Sequence, residues 1–232
     1  MKMYKKIVIV LGTRPEAIKL SPLILELQKI KDFQTRVVLT GQHKDMVDEG
    51  LDIFKIKPFK NLRVMKNGQN LEELTSSILN KISALLKAEK CDLLIVQGDT
   101  ASTFASALAA FYLKIPVAHV EAGLRTNNIY SPFPEEAYRR FVSQISTLHF
   151  APTDQSKEFL HRSFIDRGIY VTGNTVVDSL KWIQKHKGDS IHIDNINKSC
   201  KNMLVTVHRR ENWGIKLQNI IIGLKKILSQ NK

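Results

Sequence analysis

The feature that most restricts the fold of this chain is a repeated unit: a short apolar run, a polar or glycine turn, and a stretch with apolar residues at helical spacing. Residues 4–11, 91–97 and 116–120 are the clearest apolar runs. Runs of this length, bounded by turns, are typical of buried strands. About seven strand–helix repeats with short connections therefore predict an α/β fold with a parallel, doubly wound sheet.

The composition of the chain changes at residues 188–202, which are mostly polar and are predicted to form a linker or surface loop. Residues 1–187 before it form the predicted doubly wound domain with its linking helix. After it, residues 203–207 have the pattern of a new buried strand and residues 215–228 that of a helix. One strand and one helix cannot bury a core of their own, so residues 203–232 either pack on the first sheet or begin a second domain.

The turn Gly12-Thr13-Arg14-Pro15-Glu16 joins the first predicted strand to the first predicted helix. At such a turn, outward-facing N–H groups and the helix dipole favour an anion, and Arg14 and Lys19 add full positive charges. The turn is not a GxGxxG fingerprint, so it predicts no dinucleotide. The alternative is an ordinary strand–helix turn.

Acidic and basic side chains recur where other predicted strands end or helices begin. Asp99 and Glu121 each follow an apolar run, Glu135 opens a helix, and Arg139 lies one turn further on. Carboxyl groups beside guanidinium groups at such positions can move protons near an anionic ligand. His208 follows the last predicted strand and repeats the pattern. The structural alternative is that Asp99 caps a helix and the others form surface ion pairs.

Composition narrows the class of partner. The formal net charge is +13, but the lysines and arginines are scattered and form no stripe with stacking aromatics, so we expect no nucleic-acid partner. Attraction of phosphate-bearing small molecules, or a lysine-rich proteome, accounts for the sign of the charge. No segment approaches the ~20 apolar residues that span a bilayer, so we expect no membrane partner. Cys91 and Cys200 match no metal-ligand spacing, which fits a cytoplasmic protein without a metal site.

Six motifs occur in order along the chain: GTRPEAIKLSPL, QGDT, HVEAGLR, SPFPEE, GNTVVDSL and HRREN. Together they closely resemble the non-hydrolysing UDP-N-acetylglucosamine 2-epimerases, from about residue 4 to about residue 225. The resemblance implies two Rossmann-like domains of the glycosyltransferase-B type, with residues 203–232 as the incomplete start of the C-terminal, UDP-binding domain. It implies reversible interconversion of UDP-GlcNAc and UDP-ManNAc through elimination and return of UDP, without nicotinamide or metal. We also expect a homodimer.

The resemblance also carries over residue roles, position by position. It makes Asp99, Glu121 and Glu135 the carboxylates that exchange the C2 proton, without deciding which is base and which is acid. It places His208 near the diphosphate, where a protonated imidazole assists the departure of UDP. The positions that match contacts to the nucleotide sugar are Arg14, Lys19 and Arg139. Those that match a site for a second UDP-GlcNAc, acting as activator, are Gln42, His43, Gln69, Glu136 and Arg209.

The sequence is compatible with three other functions. A related branch acts on UDP-diacetamido sugars, although Thr13-Arg14-Pro15-Glu16 favours the first family. A glycosyltransferase of the same architecture would need an acceptor site. A non-catalytic fragment that binds nucleotide sugars is the third. Relatives continue well beyond residue 232, so we expect this chain alone to bind UDP weakly and to turn over slowly or not at all. Val207 also departs from the glycine that is common before the matching histidine.

Overall fold

A computed structural model describes residues 5–42, 45–187, 199–200, 202–207 and 214–230. The chain divides into two compact units, Met1–Gly188 and Asp189–Lys232. In the first unit the described residues form a sheet of seven strands in the order β3-β2-β1-β4-β5-β6-β7, with every neighbouring pair parallel. The strands are Lys5–Leu11 (β1), Phe33–Leu39 (β2), Lys60–Asn61 (β3), Leu93–Gln97 (β4), Val117–Val120 (β5), Leu148–Ala151 (β6) and Ile169–Val171 (β7).

This arrangement confirms the predicted α/β fold with a parallel, doubly wound sheet. The sequence pattern does not predict β3, because two residues are too few to make an apolar run. Helices follow most of the strands in the described part of this unit. They are Arg14–Lys29 (α1), Asp45–Ile53 (α2), Leu71–Glu89 (α3), Ala101–Tyr112 (α4), Glu135–Ile145 (α5), Asp154–Arg162 (α6) and Val176–Lys187 (α7).

The start of α1 differs from the prediction. Helical spacing of the apolar residues places its start at residue 17, whereas the helix begins at Arg14. Pro15 suits a first helical turn, where its missing N–H would have no helical partner. The side chain of Glu16 reaches back to accept the N–H of Thr13, the residue before the helix. The polar turn is therefore part of the helix start.

Two apolar cores cover the two faces of the sheet, because successive strand residues point to opposite sides. One core joins Val8 and Val10 to the helices α3, α4 and α5. The other joins Ile7 and Ile9 to the helices α1, α2 and α7. The small residues of α4 are buried, which lets this helix pack closely on the sheet. In the described part of the chain, no helix is long and apolar enough to cross a membrane.

The order of the strands reverses between β1 and β4, which is where open α/β sheets bind ligands. The loops that follow these two strands therefore lie side by side at the carboxyl edge of the sheet. Gly12 is in the first loop, and a Cβ atom built there would lie 2.0 Å from Oγ of Ser102 in the first turn of α4. The starts of α1 and α4 can approach this closely only because residue 12 has no side chain.

In the second unit, the helix Ile215–Gln230 (α8) and two short segments are described. The prediction of a buried strand at residues 203–207 is wrong, since these residues lie in no strand and Leu204 is 93% exposed. A strand needs neighbours that pair its backbone and a packed face that covers it, and here α8 buries none of its own residues. His43, His208 and Arg209, all predicted site residues, lie outside the described residues.

Candidate active site

Glu121 follows β5 directly and has a left-handed backbone, with φ of 62°. Its carboxylate is held by side chains from three other parts of the fold. Lys19 Nζ, on α1, donates to both oxygens at 2.8 and 2.7 Å. Asn174 Nδ2, just after β7, donates to Oε1 at 2.9 Å, and Gln97 Nε2, at the end of β4, donates to Oε2. The Glu121 side chain is only 11% exposed, so its position is closely defined.

Asp99 lies on the loop between β4 and α4 and pairs with Nη2 of Arg139 on α5. Burial raises the pKa of the Asp99 carboxyl, the Arg139 guanidinium opposes that rise, and the charges of Glu135 and Glu121 add to it. Contacts agree with this: Gln97, two residues before Asp99, donates to the Glu121 carboxylate, and Glu135 lies one turn before Arg139 at the start of α5. The structure thus brings together Asp99, Glu121 and Glu135 at the carboxyl edge of the sheet.

Arg139 also contacts a fourth carboxylate, that of Glu136, which is buried. Its Nη1 donates to Oε2 of Glu136 at 3.2 Å, while Nε of Arg140 donates to Oε1 at 2.7 Å. The backbone N–H of Thr126 also donates to Glu136, at 3.1 Å. The side chain of Glu136 has no exposed surface, so it acts on any ligand through the two arginines that it holds. Glu136 is a predicted effector residue, and the structure puts it beneath the site.

The first glycine turn differs from the anion site that the sequence predicts. Oε2 of Glu16 accepts the N–H groups of Gly12 and Thr13 at 2.5 and 2.6 Å. Oε1 accepts the hydroxyls of Thr100 and Thr103 at 2.6 and 3.1 Å. Glu16 is 2% exposed, and burial raises its pKa while these four hydrogen bonds oppose the rise. The two N–H groups predicted to face a ligand anion are therefore bound by the protein's own carboxylate.

The two basic residues near this turn have different surroundings. Arg14 is exposed on the first turn of α1. Lys19 lies one turn further along, with its ammonium on Glu121 and its side chain 24% exposed. Lys19 therefore positions a carboxylate in the structure as it stands. Its predicted contact with the nucleotide sugar stays a prediction.

The predicted effector residues are only partly described. Gln42 follows β2, and its Oε1 accepts the hydroxyl of Ser102 at 2.7 Å. Gln69 lies before α3, and its Oε1 accepts the backbone N–H of Lys66 at 3.0 Å. Both side chains make local contacts, which leaves the second nucleotide-sugar site a prediction.

A pair of histidines lies beneath the rim of the site, which is the carboxyl edge of the sheet that carries Asp99, Glu121 and Glu135. His119 and His149 are directly opposite on β5 and β6, and both are buried. Nε2 of His119 lies 2.7 Å from the carbonyl of Gly98, and Nε2 of His149 lies 2.8 Å from that of Ser143. Burial lowers the pKa of His119 to about 3 and also lowers that of His149. Both imidazoles are therefore neutral near pH 7, and each Nε2–H donates to a carbonyl.

Sequence reasoning missed three residues that shape the site: Glu16, Gln97 and Asn174. All three lie inside the six motifs, and for Gln97 and Asn174 the signal was a polar residue beside a glycine at a strand end. The sequence groups His119 with Glu121, Glu135 and Glu136 as possible proton-transfer residues, whereas the structure buries its imidazole beneath the site. The arrangement places several carboxylates and two cations around one rim, which suits proton transfer next to an anion. Among the described residues, no group of three or more His, Cys, Asp or Glu side chains could hold a metal ion.

Comparison with known proteins gives consistent matches. The family model described as UDP-N-acetylglucosamine 2-epimerase matches residues 25–232. The UDP-N-acetylglucosamine 2-epimerase of Neisseria meningitidis is 46% identical over 230 residues, covering 96% of this chain and 62% of that relative. The crystal structure of UDP-GlcNAc 2-epimerase from Neisseria meningitidis bound to UDP-GlcNAc matches with a TM-score of 0.88 at 44% identity, covering 97% of this chain and 63% of that one.

A structure of the UDP-GlcNAc 2-epimerase of Methanocaldococcus jannaschii in complex with UDP-GlcNAc and UDP matches with a TM-score of 0.79 at 36% identity. It covers 97% of this chain and 63% of that one. The chain spans about 60% of the length of the curated relatives that it matches.

Proposed function

Because this chain belongs to the UDP-N-acetylglucosamine 2-epimerase family, we propose that it provides the catalytic carboxylates for the reversible C2 epimerisation of UDP-GlcNAc to UDP-ManNAc. One observation carries this proposal: Glu121 and Glu135 lie near enough to Asp99 at the edge of the sheet to act on its charge, and Arg139 and Lys19 pair with Asp99 and Glu121. Several carboxyl groups around one pyranose ring can remove a proton from one face of a carbon and return it on the other.

The chemistry proposed is elimination followed by re-addition. A carboxylate takes the C2 proton, the C2–H electrons form a C1–C2 double bond, and the C1–O bond breaks so that its electrons leave with UDP. The product is a 2-acetamidoglucal. UDP then adds back to C1 while C2 takes a proton on its opposite face. Each of the two steps transfers one proton, and the reaction involves no net oxidation or reduction.

The side chains have matching roles in this scheme. The proton transfers are assigned to Asp99, Glu121 and Glu135 together, without a division into base and acid. Arg139 and Lys19 hold two of them and add positive charge beside the departing diphosphate. Arg14, exposed at the start of α1, is proposed to contact the nucleotide sugar. His208 is proposed to assist the departure of UDP.

The ligands named for the solved relatives support the proposed partners. One relative was solved bound to UDP-GlcNAc, and another in complex with UDP-GlcNAc and UDP. We therefore propose a UDP-sugar as substrate and UDP-GlcNAc as activator, the latter at the positions Gln42, His43, Gln69, Glu136 and Arg209.

The proposed assembly is a homodimer in the cytoplasm. Three aromatic side chains on α4 and α5 are exposed: Phe111, Tyr112 and Phe141, by 51%, 64% and 52%. Exposed aromatic side chains favour contact between protein molecules, so we propose that α4 and α5 form the dimer interface. Cys91 and Cys200 are both free thiols, which fits a reducing compartment.

The experiment that tests the proposal is hydrogen exchange at C2. The chain is incubated with UDP-GlcNAc in deuterated water, and the sugar is followed by proton NMR. Loss of the C2 proton signal together with appearance of the manno isomer is the expected result. Free N-acetylmannosamine would indicate the hydrolysing reaction, and exchange only with a UDP-diacetamido sugar would indicate the related branch. Binding of UDP-GlcNAc without any exchange would leave a non-catalytic protein.

A further inference from the structure

The loop that carries Asp99 is fixed from one side by His119. Gly98 precedes Asp99 and has φ of 74°, a left-handed conformation that favours glycine. Its carbonyl accepts the Nε2–H of His119 at 2.7 Å, across the boundary between β4 and β5. His119 has no exposed surface, so this hydrogen bond is shielded from water. The direction of the Gly98 peptide, and hence the start of the Asp99 backbone, depends on that imidazole.

The same loop is fixed from the other side by Glu16. The Thr100 hydroxyl donates to Glu16 at 2.6 Å and also accepts the backbone N–H of Thr103, which caps α4. The Thr103 hydroxyl lies 3.1 Å from the same Glu16 oxygen and 2.7 Å from the carbonyl of Gln97. Glu16 itself is anchored on the turn after β1 by the N–H of Gly12 and of Thr13. One buried carboxylate therefore links the loops on both sides of the reversal in strand order.

We propose that His119 and Glu16 are positioning residues for Asp99: together they fix both ends of the segment 98–100, so that the Asp99 carboxyl meets Arg139 at the rim. Neither side chain contacts the rim carboxylates through a hydrogen bond among those described, so both act through the backbone of this segment. The effect on catalysis rests on the proposed function. The placement of Asp99 does not, and it can be measured on its own.

Proton transfer by Asp99 tolerates only small displacements of its carboxyl group. A proton transfer between a carboxyl and a carbon requires the donor and acceptor atoms to stay within hydrogen-bonding reach, and a displacement of about 1 Å can cost 100-fold in rate. Loops are the parts of a fold that move most easily, and Asp99 sits on one. Two buried, charged or polar anchors on neighbouring elements restrict that motion without occupying the ligand side of the site.

The test is an NMR titration of the Asp99 carboxyl carbon in the whole chain labelled with ¹³C-aspartate, with the signal assigned through Asp99→Asn. The charged groups that face Asp99 are Arg139 and Glu135 from α5 and Glu121 after β5. Two variants remove an anchor, Thr100→Val and His119→Phe. Two matched controls keep a donor in nearly the same place, Thr100→Ser and His119→Gln.

A loosened loop admits water, which removes the burial that raises the Asp99 pKa, and it also weakens the Arg139 pair that lowers this pKa. Burial is the larger cause, so the titration midpoint should fall. We expect a fall of at least about half a pH unit in the Val and Phe variants, and less than half of that fall in the Ser and Gln controls. Folding of each variant is checked by its thermal unfolding and by the dispersion of its amide spectrum.

An unchanged or raised midpoint in folded Thr100→Val and His119→Phe would overturn the proposal, and so would equal shifts in the variants and their controls. If Thr100→Val does not fold because α4 loses its cap, the His119 pair decides the question. Absence of C2 exchange in the unmodified chain would count against the proposed function alone, since the Asp99 titration needs no substrate.

Discussion

Glu121 shows most directly how single residues define this site. It has a left-handed backbone, and four hydrogen bonds from three neighbouring side chains hold its carboxylate. A non-glycine residue in this conformation costs on the order of 1–3 kcal/mol, which the surrounding contacts must offset. Backbone strain of this kind is common at functional sites. Here the strained backbone accompanies a carboxylate that lies beside the ends of β4 and β7.

Replacing Glu121 with Gln should reduce C2 hydrogen exchange by about 10²- to 10⁴-fold, the usual contribution of a general acid or base. The substitution replaces a carboxylate with a neutral amide, so Lys19 loses its anionic partner. The amide N–H groups would also face the side chains that donate to Glu121. Proton NMR in deuterated water measures the rate. Glu26→Gln is the matched control, because Glu26 is exposed on the same helix as Lys19 and its change should leave the rate unaltered. Exchange within about twofold of the unmodified rate in Glu121→Gln would exclude this role.

His119 predicts a dependence of stability on pH. Its pKa is about 3 in the folded chain and 6.5 as a free side chain, so between these values only the unfolded chain binds the proton. Stability is therefore complete above pH 6.5 and falls as the pH drops from 6.5 towards 3. At pH 5 the loss from His119 is about 2 kcal/mol. His149 acts in the same direction, whereas Glu16 and Asp99, with raised pKa values, act in the opposite one.

The contribution of His119 is isolated by a comparison of two proteins at two pH values. Urea unfolding of the unmodified chain and of His119→Gln is measured at pH 7 and pH 5. The variant should lose about 2 kcal/mol less than the unmodified chain on acidification, since Gln binds no proton. Equal losses in the two proteins would show that His119 gains its proton without unfolding.

Among the elements, the close approach of α1 and α4 is the feature on which the site depends. Their first turns meet where Gly12 faces Ser102, and Glu16 bonds to residues of both. Thr40 lies in the same contact, with its hydroxyl 2.8 Å from that of Ser102. The polar side chains of the two helix starts are therefore fixed with respect to each other by contacts a few ångströms long.

Gly12→Ala should separate these helix starts. The new methyl group would lie 2.0 Å from Oγ and 2.4 Å from Cβ of Ser102, so we expect a loss of about 1–3 kcal/mol in unfolding free energy. Adding Ser102→Gly removes both clashing atoms and should recover part of that loss, beyond the sum of the two single changes. Urea unfolding of the single and double variants measures the coupling. Purely additive losses would show that the two residues do not clash.

The same elements show how far sequence reasoning reaches. The alternation of apolar runs and helical spacing predicts six of the seven strands, the helices of the first unit and the position of Asp99 and Glu121 at strand ends, because these features are local. It did not give the contact of Lys19 with Glu121, 102 residues later, or that of Asn174 with Glu121. Such pairs depend on which strands are neighbours, and a repeated strand–helix pattern does not encode that order. The buried strand predicted at residues 203–207 failed for a related reason, since its pattern assumes neighbours that cover it.

For the whole molecule, the family match confirms the resemblance that the six motifs indicate, and the chain spans about 60% of the length of its curated relatives. The first unit has its own cores on both faces of its sheet. The exposed aromatic side chains of α4 and α5 are the feature that bears on assembly. Phe104 on α4 packs against α5, with its ring 4.9 Å from that of Tyr138 and 5.7 Å from that of Phe141.

We expect the chain to sediment as a dimer and Phe111→Glu to shift it to the monomer. A charge at a desolvated aromatic contact has no partner and must keep its water, which opposes association. Phe164→Glu is the matched control, because Phe164 is 94% exposed and follows α6, outside α4 and α5. Sedimentation velocity across a concentration series measures the masses. A monomeric unmodified chain, or equal effects of the two substitutions, would rule out this surface as the interface.

The carboxylate of Glu16 has a consequence for inhibitor chemistry. In many nucleotide-binding sheets the first glycine turn has free backbone N–H groups that bind a phosphate, and inhibitors are designed to use them. Here the N–H groups of Gly12 and Thr13 are already bound by the negatively charged side chain of Glu16. A compound that aims its phosphate at this turn would meet repulsion, whereas one that directs a neutral or cationic group there would not.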